Sequence, residues 1–230
     1  MGTPQVVAHR GASRAARENT LEAFDLARTL GADGIELDVR RTADGLMAVH
    51  HDPALADGRL ICEMSASDLP SHVPMLADAL DACTGMWVNI EIKNHPDDPD
   101  HDPRETLAAA VAHHLSERNN DERWLVSSFS RATIDAMRTL RPQVRTGFLT
   151  VGVRPELIDK TARDLAVSGH SALHPYDQLL TPECVAAFQA QGIEVNVWTV
   201  DDPARMNELA QWGVDGIITN VPDVCRRTIS

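Results

Sequence analysis

Apolar, strand-like runs alternate with helical patterns from one end of this 230-residue chain to the other, and that alternation is the signature of parallel βαβ units. Eight runs read as strands: residues 6–8, 34–39, 87–92, 124–127, 146–149, 171–173, 194–199 and 216–219. The intervening segments carry helix punctuation. Asn19-Thr20-Leu21-Glu22 and Asp102-Pro103-Arg104-Glu105 read as N-caps with an acid three positions on. Thr181-Pro182 and Asp202-Pro203 place proline at a first helical position, and Gly31, Gly192 and Gly213 sit where helices should stop. Leu21, Phe24 and Leu30 mark an inward stripe on the first helix; Val185, Ala186 and Phe188 mark one on a later helix. Eight such units predict one α/β domain over residues 1–230, a (β/α)8 TIM-type barrel rather than a doubly wound sheet. Residues 46–50 read as a short hairpin excursion after the second strand.

Net charge narrows the partners. At −13 the chain lacks the clustered basic face that nucleic acid or an anionic membrane requires, so a phosphate ligand would need a local basic exception. No charged and apolar leader opens the chain and no apolar run reaches membrane-spanning length, which predicts a soluble, cytoplasmic protein without stable membrane insertion. Cys62, Cys83, Cys184 and Cys225 lack CxxC spacing and read as reduced thiols.

Within the second strand, Glu36 and Asp38 stand two residues apart. Alternate side chains leave a strand on one face with Cα atoms about 7 Å apart, so both acids enter one interior volume. Two buried carboxylates repel unless a cation or a shared proton relieves them. Glu91 and Lys93 repeat the spacing on the third strand. Three acids from two adjacent strands make an oxygen cage suited to a hard divalent cation, Mg²⁺ or Ca²⁺, whereas zinc favours histidine or thiolate. Arg10 and Lys93 supply cations for a phosphate, giving a basic site in an acidic protein, while His9 and His51 can exchange protons near neutral pH. His174, Trp198 and Asn220 also fall at strand ends, on the barrel rim where reactive groups belong. The run Asp97-Asp98-Pro99-Asp100 reads as a solvated acidic loop, and the remaining histidines as solvent-facing.

These segments, together with Glu18-Asn19-Thr20, Gly31 through Val39, His51-Asp52-Pro53, Asn89-Ile90-Glu91-Ile92-Lys93, Val197-Trp198-Thr199-Val200 and Gly213 through Asn220, make the chain resemble the glycerophosphodiester phosphodiesterase family over nearly its whole length. The resemblance implies a TIM-type barrel that uses one divalent cation to hydrolyse glycerophosphodiesters to sn-glycerol 3-phosphate and an alcohol. By carry-over, Glu36, Asp38 and Glu91 would hold the metal, and His9 and His51 would be the acid/base pair. Arg10 and Lys93 would grip the phosphate, and Trp198 would line the substrate end of the pocket. The chain departs from the family pattern at Arg17, where a proline is common, at residues 54–59, and at Asn220, where an aspartate is frequent. Two rival readings share this barrel. A lysophospholipase D would cut the same bond in an acylated substrate and needs an apolar mouth, which four Trp and four Phe do not disclose. A phosphate-binding barrel without chemistry would have no use for two proton-transfer groups.

Overall fold

The computed structural model describes residues 2–118 and 120–230. Its strands are β1 (Gln5–His9), β2 (Gly34–Arg41), β3 (Met47–Val49), β4 (Trp87–Ile92), β5 (Trp124–Ser128), β6 (Arg145–Thr150), β7 (Ala172–Pro175), β8 (Glu194–Val197) and β9 (Gly216–Thr219). Its helices are α1 (Leu21–Thr29), α2 (Leu76–Ala82), α3 (Thr106–Ser116), α4 (Arg131–Leu140), α5 (Ile158–Val167), α6 (Pro182–Gln189), α7 (Pro203–Trp212) and α8 (Pro222–Ile229). Eight strands pair in parallel in the order β1-β2-β4-β5-β6-β7-β8-β9, and β9 returns to β1, closing a (β/α)8 barrel. The ninth strand, β3, lies antiparallel on β2 outside the ring, where the hairpin excursion was expected. Among the described residues no helix is long and apolar enough to cross a membrane.

Strand periodicity sorts the side chains of β2. Ile35, Leu37 and Val39 face the helices and join a core with Phe24, Leu80, Ile90 and Val126. Glu36, Asp38 and Arg40 take the other face, into the barrel, and all three are buried. A second core on the opposite side packs Leu173, Val195 and Ile217 against Phe188, Met206 and Leu209. Gly34 is required by close approach, since a Cβ there would lie 2.4 Å from the Trp87 ring.

Local signals held where no tertiary contact competed. Thr181 and Asp202 cap α6 and α7, accepting from the N–H groups of Cys184 and Arg205, with Pro182 and Pro203 following. Helix α1 is capped by Thr20, which frees Asn19 for the barrel interior. Asp102 does not cap α3, which begins four residues later. Asn94 pins it instead, donating to its carbonyl at 3.0 Å and accepting from its N–H at 2.8 Å, so the chain turns there before the helix starts. Leu21 is exposed, because the inward stripe of α1 is Ala23, Phe24 and Ala27; Ala186 likewise faces outward.

His174 is not a rim residue. It points from β7 into the barrel, fully buried, with Asn196 Nδ2 3.2 Å from its Nε2. Burial, then Arg145, hold its pKa down at about 3, against an ordinary 6.5. Between those values the unfolded chain binds more protons than the folded one, so the stability this group contributes is full above 6.5 and is lost as pH falls toward 3. From pH 7.5 to pH 5 the expected loss through His174 is about 2 kcal/mol. Urea unfolding of wild type and His174→Gln at both pH values checks this: the variant should show a shallower fall, and parallel falls would contradict it.

Candidate active site

At the C-terminal mouth of the barrel, Glu36, Asp38 and Glu91 bring one carboxylate oxygen each within 4.8 Å of the others, all three side chains buried. The register explains this, since Asp38 pairs with Glu91 across β2 and β4 and Glu36 lies one alternation below. Two cations face the cluster. Arg10 Nε lies 3.1 Å from Asp38 Oδ2, and Lys93 Nζ lies 2.9 Å from Asp38 Oδ1 and also contacts Glu91. Burial works to raise the Asp38 pKa, but Lys93 and Arg10 outweigh it and hold this carboxyl well below the usual range. Glu36 goes the other way, pushed well up by burial and by its neighbours Asp38 and Glu91. Three acids against two bases leave the cluster formally negative, so it becomes basic, as the sequence suggested, only with a divalent cation added. Glu36 Oε1 and both ends of the Asn89 amide are buried without hydrogen-bond partners. Orphaned hard oxygens beside three carboxylates fit a Mg²⁺- or Ca²⁺-type ligand set.

Arg10 and Asn19, both at φ 55, place their side chains here from left-handed backbone that a non-glycine residue adopts only at a cost. Surrounding contacts hold them. Arg10 N–H donates to Glu36 at 3.0 Å, its guanidinium donates to both Glu18 oxygens, and Asn19 Nδ2 donates to Asp38 at 2.8 Å. The Glu18-Asn19-Thr20 segment thus orients Arg10, orients Asp38 and caps α1.

The two histidines flank the cluster with one ring nitrogen each committed elsewhere. Asn220 donates its amide N–H to Asp201 at 2.8 Å, which turns its Oδ1 to accept from His9 Nδ1 at 2.7 Å. His9 Nε2 is left 3.9 Å from Glu36. His51 Nδ1 donates to Asp52 at 2.8 Å, freeing its Nε2 in the same way. Burial first, then Arg10 for His9 and Lys93 for His51, lowers both pKa values, so both imidazoles are neutral at pH 7.

The acidic loop of residues 97–100 is not simply solvated. Arg40, 3% exposed, pairs with Asp100 at 2.8 Å and Asp98 at 3.2 Å, and its Nε donates to the His51 carbonyl at 2.7 Å. A buried guanidinium needs such counter-ions. Here they tie the loop after β4 to the backbone of His51. Arg14, one of the extra basic residues of the first loop, faces Asp201 at 3.7 Å and not the carboxylates.

An inner pocket of about 100 Å³ holds His9, Arg10, Glu36, His51, Glu91 and Lys93. Asn89, Leu149 and Ile218 line it as well, as do Phe129 and Trp198. Trp198 spends its indole N–H on the His174 carbonyl at 2.8 Å and meets Phe129 edge-on at 5.6 Å, so it offers the pocket an apolar ring. Every residue singled out for metal, phosphate or proton chemistry except Asp38 lines this pocket, and Asp38 touches three that do. Asn89, Asn19, Glu18 and Arg40 were missed as site residues; the spacing of Asn89 two residues before Glu91 was the one available signal.

The model of the Glycerophosphoryl diester phosphodiesterase family matches residues 9–224. A glycerophosphodiester phosphodiesterase of Caldanaerobacter subterraneus is 31% identical, covering 95% of this chain and 94% of its own. A probable glycerophosphodiester phosphodiesterase 2 of Mycobacterium tuberculosis is 31% identical over 96% of this chain and 88% of its own. Among solved structures, an Oleispira antarctica phosphodiesterase in complex with the product sn-glycerol-3-phosphate superposes with a TM-score of 0.88 at 25% identity, covering 99% of this chain and 97% of that one. Matched from the first catalytic-rim histidine into the last helix, and sharing both barrel and length with these relatives, the chain belongs to the glycerophosphoryl diester phosphodiesterase family.

Proposed function

We propose that this enzyme hydrolyses glycerophosphodiesters, such as deacylated phospholipids, to sn-glycerol 3-phosphate and an alcohol by metal-assisted histidine acid/base catalysis. The observation that carries the reading is three buried carboxylates within 4.8 Å of one another, faced by Arg10 and Lys93 and flanked by His9 and His51. Glu36, Asp38 and Glu91 would hold one divalent cation, Mg²⁺ or Ca²⁺, which when bound supplies Lewis-acid stabilisation of charge gathering on the phosphate oxygens. Arg10 and Lys93 bind the nonbridging oxygens and fix the phosphorus against the histidines. One imidazole, neutral with its Nε2 free, accepts the proton of a glycerol hydroxyl as that oxygen attacks phosphorus. The anionic diester favours a proton on the other, which passes to the oxygen of the departing alcohol. Water then opens the cyclic phosphate by the reverse transfers. Trp198 and Phe129 give the glycerol carbons an apolar wall.

Purified protein incubated with glycerophosphocholine or glycerophosphoethanolamine should release glycerol 3-phosphate, and EDTA should abolish the release until excess Mg²⁺ or Ca²⁺ restores it. Absent or EDTA-insensitive turnover on both substrates would count against the proposal.

A further inference from the structure

Beside the inner pocket, the loops after β6 and β7 enclose an apolar trough for which hydrolysis of a small diester has no use. Val151, Val153, Pro155, Ile158 and Leu179 wall an opening of about 760 Å³. Val151 and Leu179 are 55% and 59% exposed, and Gly152 keeps the passage between them clear, since a Cβ there would lie 3.2 Å from Leu179. Single exposed apolar residues are ordinary, but a group of them around a groove continuous with a reactive site marks a ligand surface. The continuity is direct: Val151 is also a wall of an outer pocket of about 450 Å³ that runs past Phe129 to His51, Lys93 and Glu91.

The two ends of a diester make different demands. Glycerol must be held so that one hydroxyl stays against phosphorus, which suits the confined inner pocket of about 100 Å³. The alcohol must depart, which suits the open side. Resting on the phosphodiesterase reading above, we propose that the trough receives a single hydrocarbon chain carried on the leaving alcohol, so that preferred substrates are glycerophosphodiesters of lipid-like alcohols. The reaction is otherwise unchanged: the P–O bond to the alcohol breaks, its oxygen takes a proton, and water supplies the oxygen and proton that complete the phosphate. A chain attached to glycerol would have to leave the inner pocket instead.

The test compares N-octanoyl with N-acetyl glycerophosphoethanolamine, two substrates of equal charge, below the micelle-forming concentration. The longer chain should raise kcat/KM by about tenfold or more. Leu179→Asp and Val151→Asp should each erase most of that gain while leaving hydrolysis of the N-acetyl substrate unchanged, which also reports that the variants are folded. No gain from the chain, a gain that both variants keep, or a comparable gain for 1-octanoyl glycerophosphoethanolamine, where the chain is on glycerol, would overturn the trough assignment while leaving the phosphodiesterase reading intact. Hydrolysis of none of these substrates would overturn both.

Discussion

His9→Ala and His51→Ala will each lower kcat by about 10³-fold, the scale on which a positioned acid or base contributes, while cation affinity stays within a few-fold of wild type. The geometry separates the two effects. Neither imidazole is among the three carboxylates, and His9 Nε2 stands 3.9 Å from Glu36. Loss of the His9 ring need not collapse its surroundings, because Asn220 Oδ1 still accepts from Ser13 Oγ at 2.8 Å and its amide still donates to Asp201. His51 is partly exposed, and its carbonyl, not its ring, anchors Arg40. Steady-state kinetics paired with calorimetric titration of Mg²⁺ or Ca²⁺ checks the prediction. Equal loss of turnover and cation binding, or unfolding of both variants, would remove the histidines from the acid/base role.

Glu36→Gln should have opposite effects on function and on stability. With one acid gone, two carboxylates face two cations, and a divalent ion meets a formally neutral cluster. Cation affinity should fall by about 100-fold or more, taking turnover with it. The metal-free protein should become more stable. Burial, Asp38 and Glu91 raise the Glu36 pKa above its unfolded value, so the stability from its protonated form is fully present below the ordinary carboxylate range and is lost as pH rises through the folded value. Glutamine keeps the shape without the charge. Thermal unfolding in EDTA should therefore show Glu36→Gln above wild type, by a margin that widens from pH 6 to pH 8.5; saturating Mg²⁺ or Ca²⁺ should close the gap by stabilising wild type alone. A less stable variant at every pH would mean that Glu36 is held by structural pairing instead of being poised for a cation.

Much of this site can be read from strand period alone. Glu36 and Asp38, then Glu91 and Lys93, share faces because alternate residues on a strand must, and adjacent parallel strands bring the two faces together at Asp38 and Glu91. His9, Arg10 and His51 are legible as loop residues after strands, the rim on which barrels place chemistry. His174 was misread for a reason internal to that rule: β7 extends two residues beyond the apolar run, to Pro175, so the histidine belongs to the strand and turns inward. The acidic run was misread because its partner, Arg40, lies 58 and 60 residues away from Asp98 and Asp100. No local pattern records a pairing of that range.

The apolar trough escaped the sequence in the same way. Val151, Ile158 and Leu179 belong to the connections after two different strands and share no periodicity, and an aromatic count says nothing of aliphatic side chains. What the sequence determined by itself was everything that follows from chain-local geometry: eight βα units, the inward face of each strand, the acids and bases on it, and the caps that start α6 and α7. What only the tertiary structure decided was which loops meet once β9 closes onto β1. Closure placed Asn220 behind His9 across 211 residues, Arg40 beneath His51, and an open apolar surface beside a confined polar one. Strand period is set by the backbone of each segment, whereas contacts between loops are set by the ring that all eight strands form together.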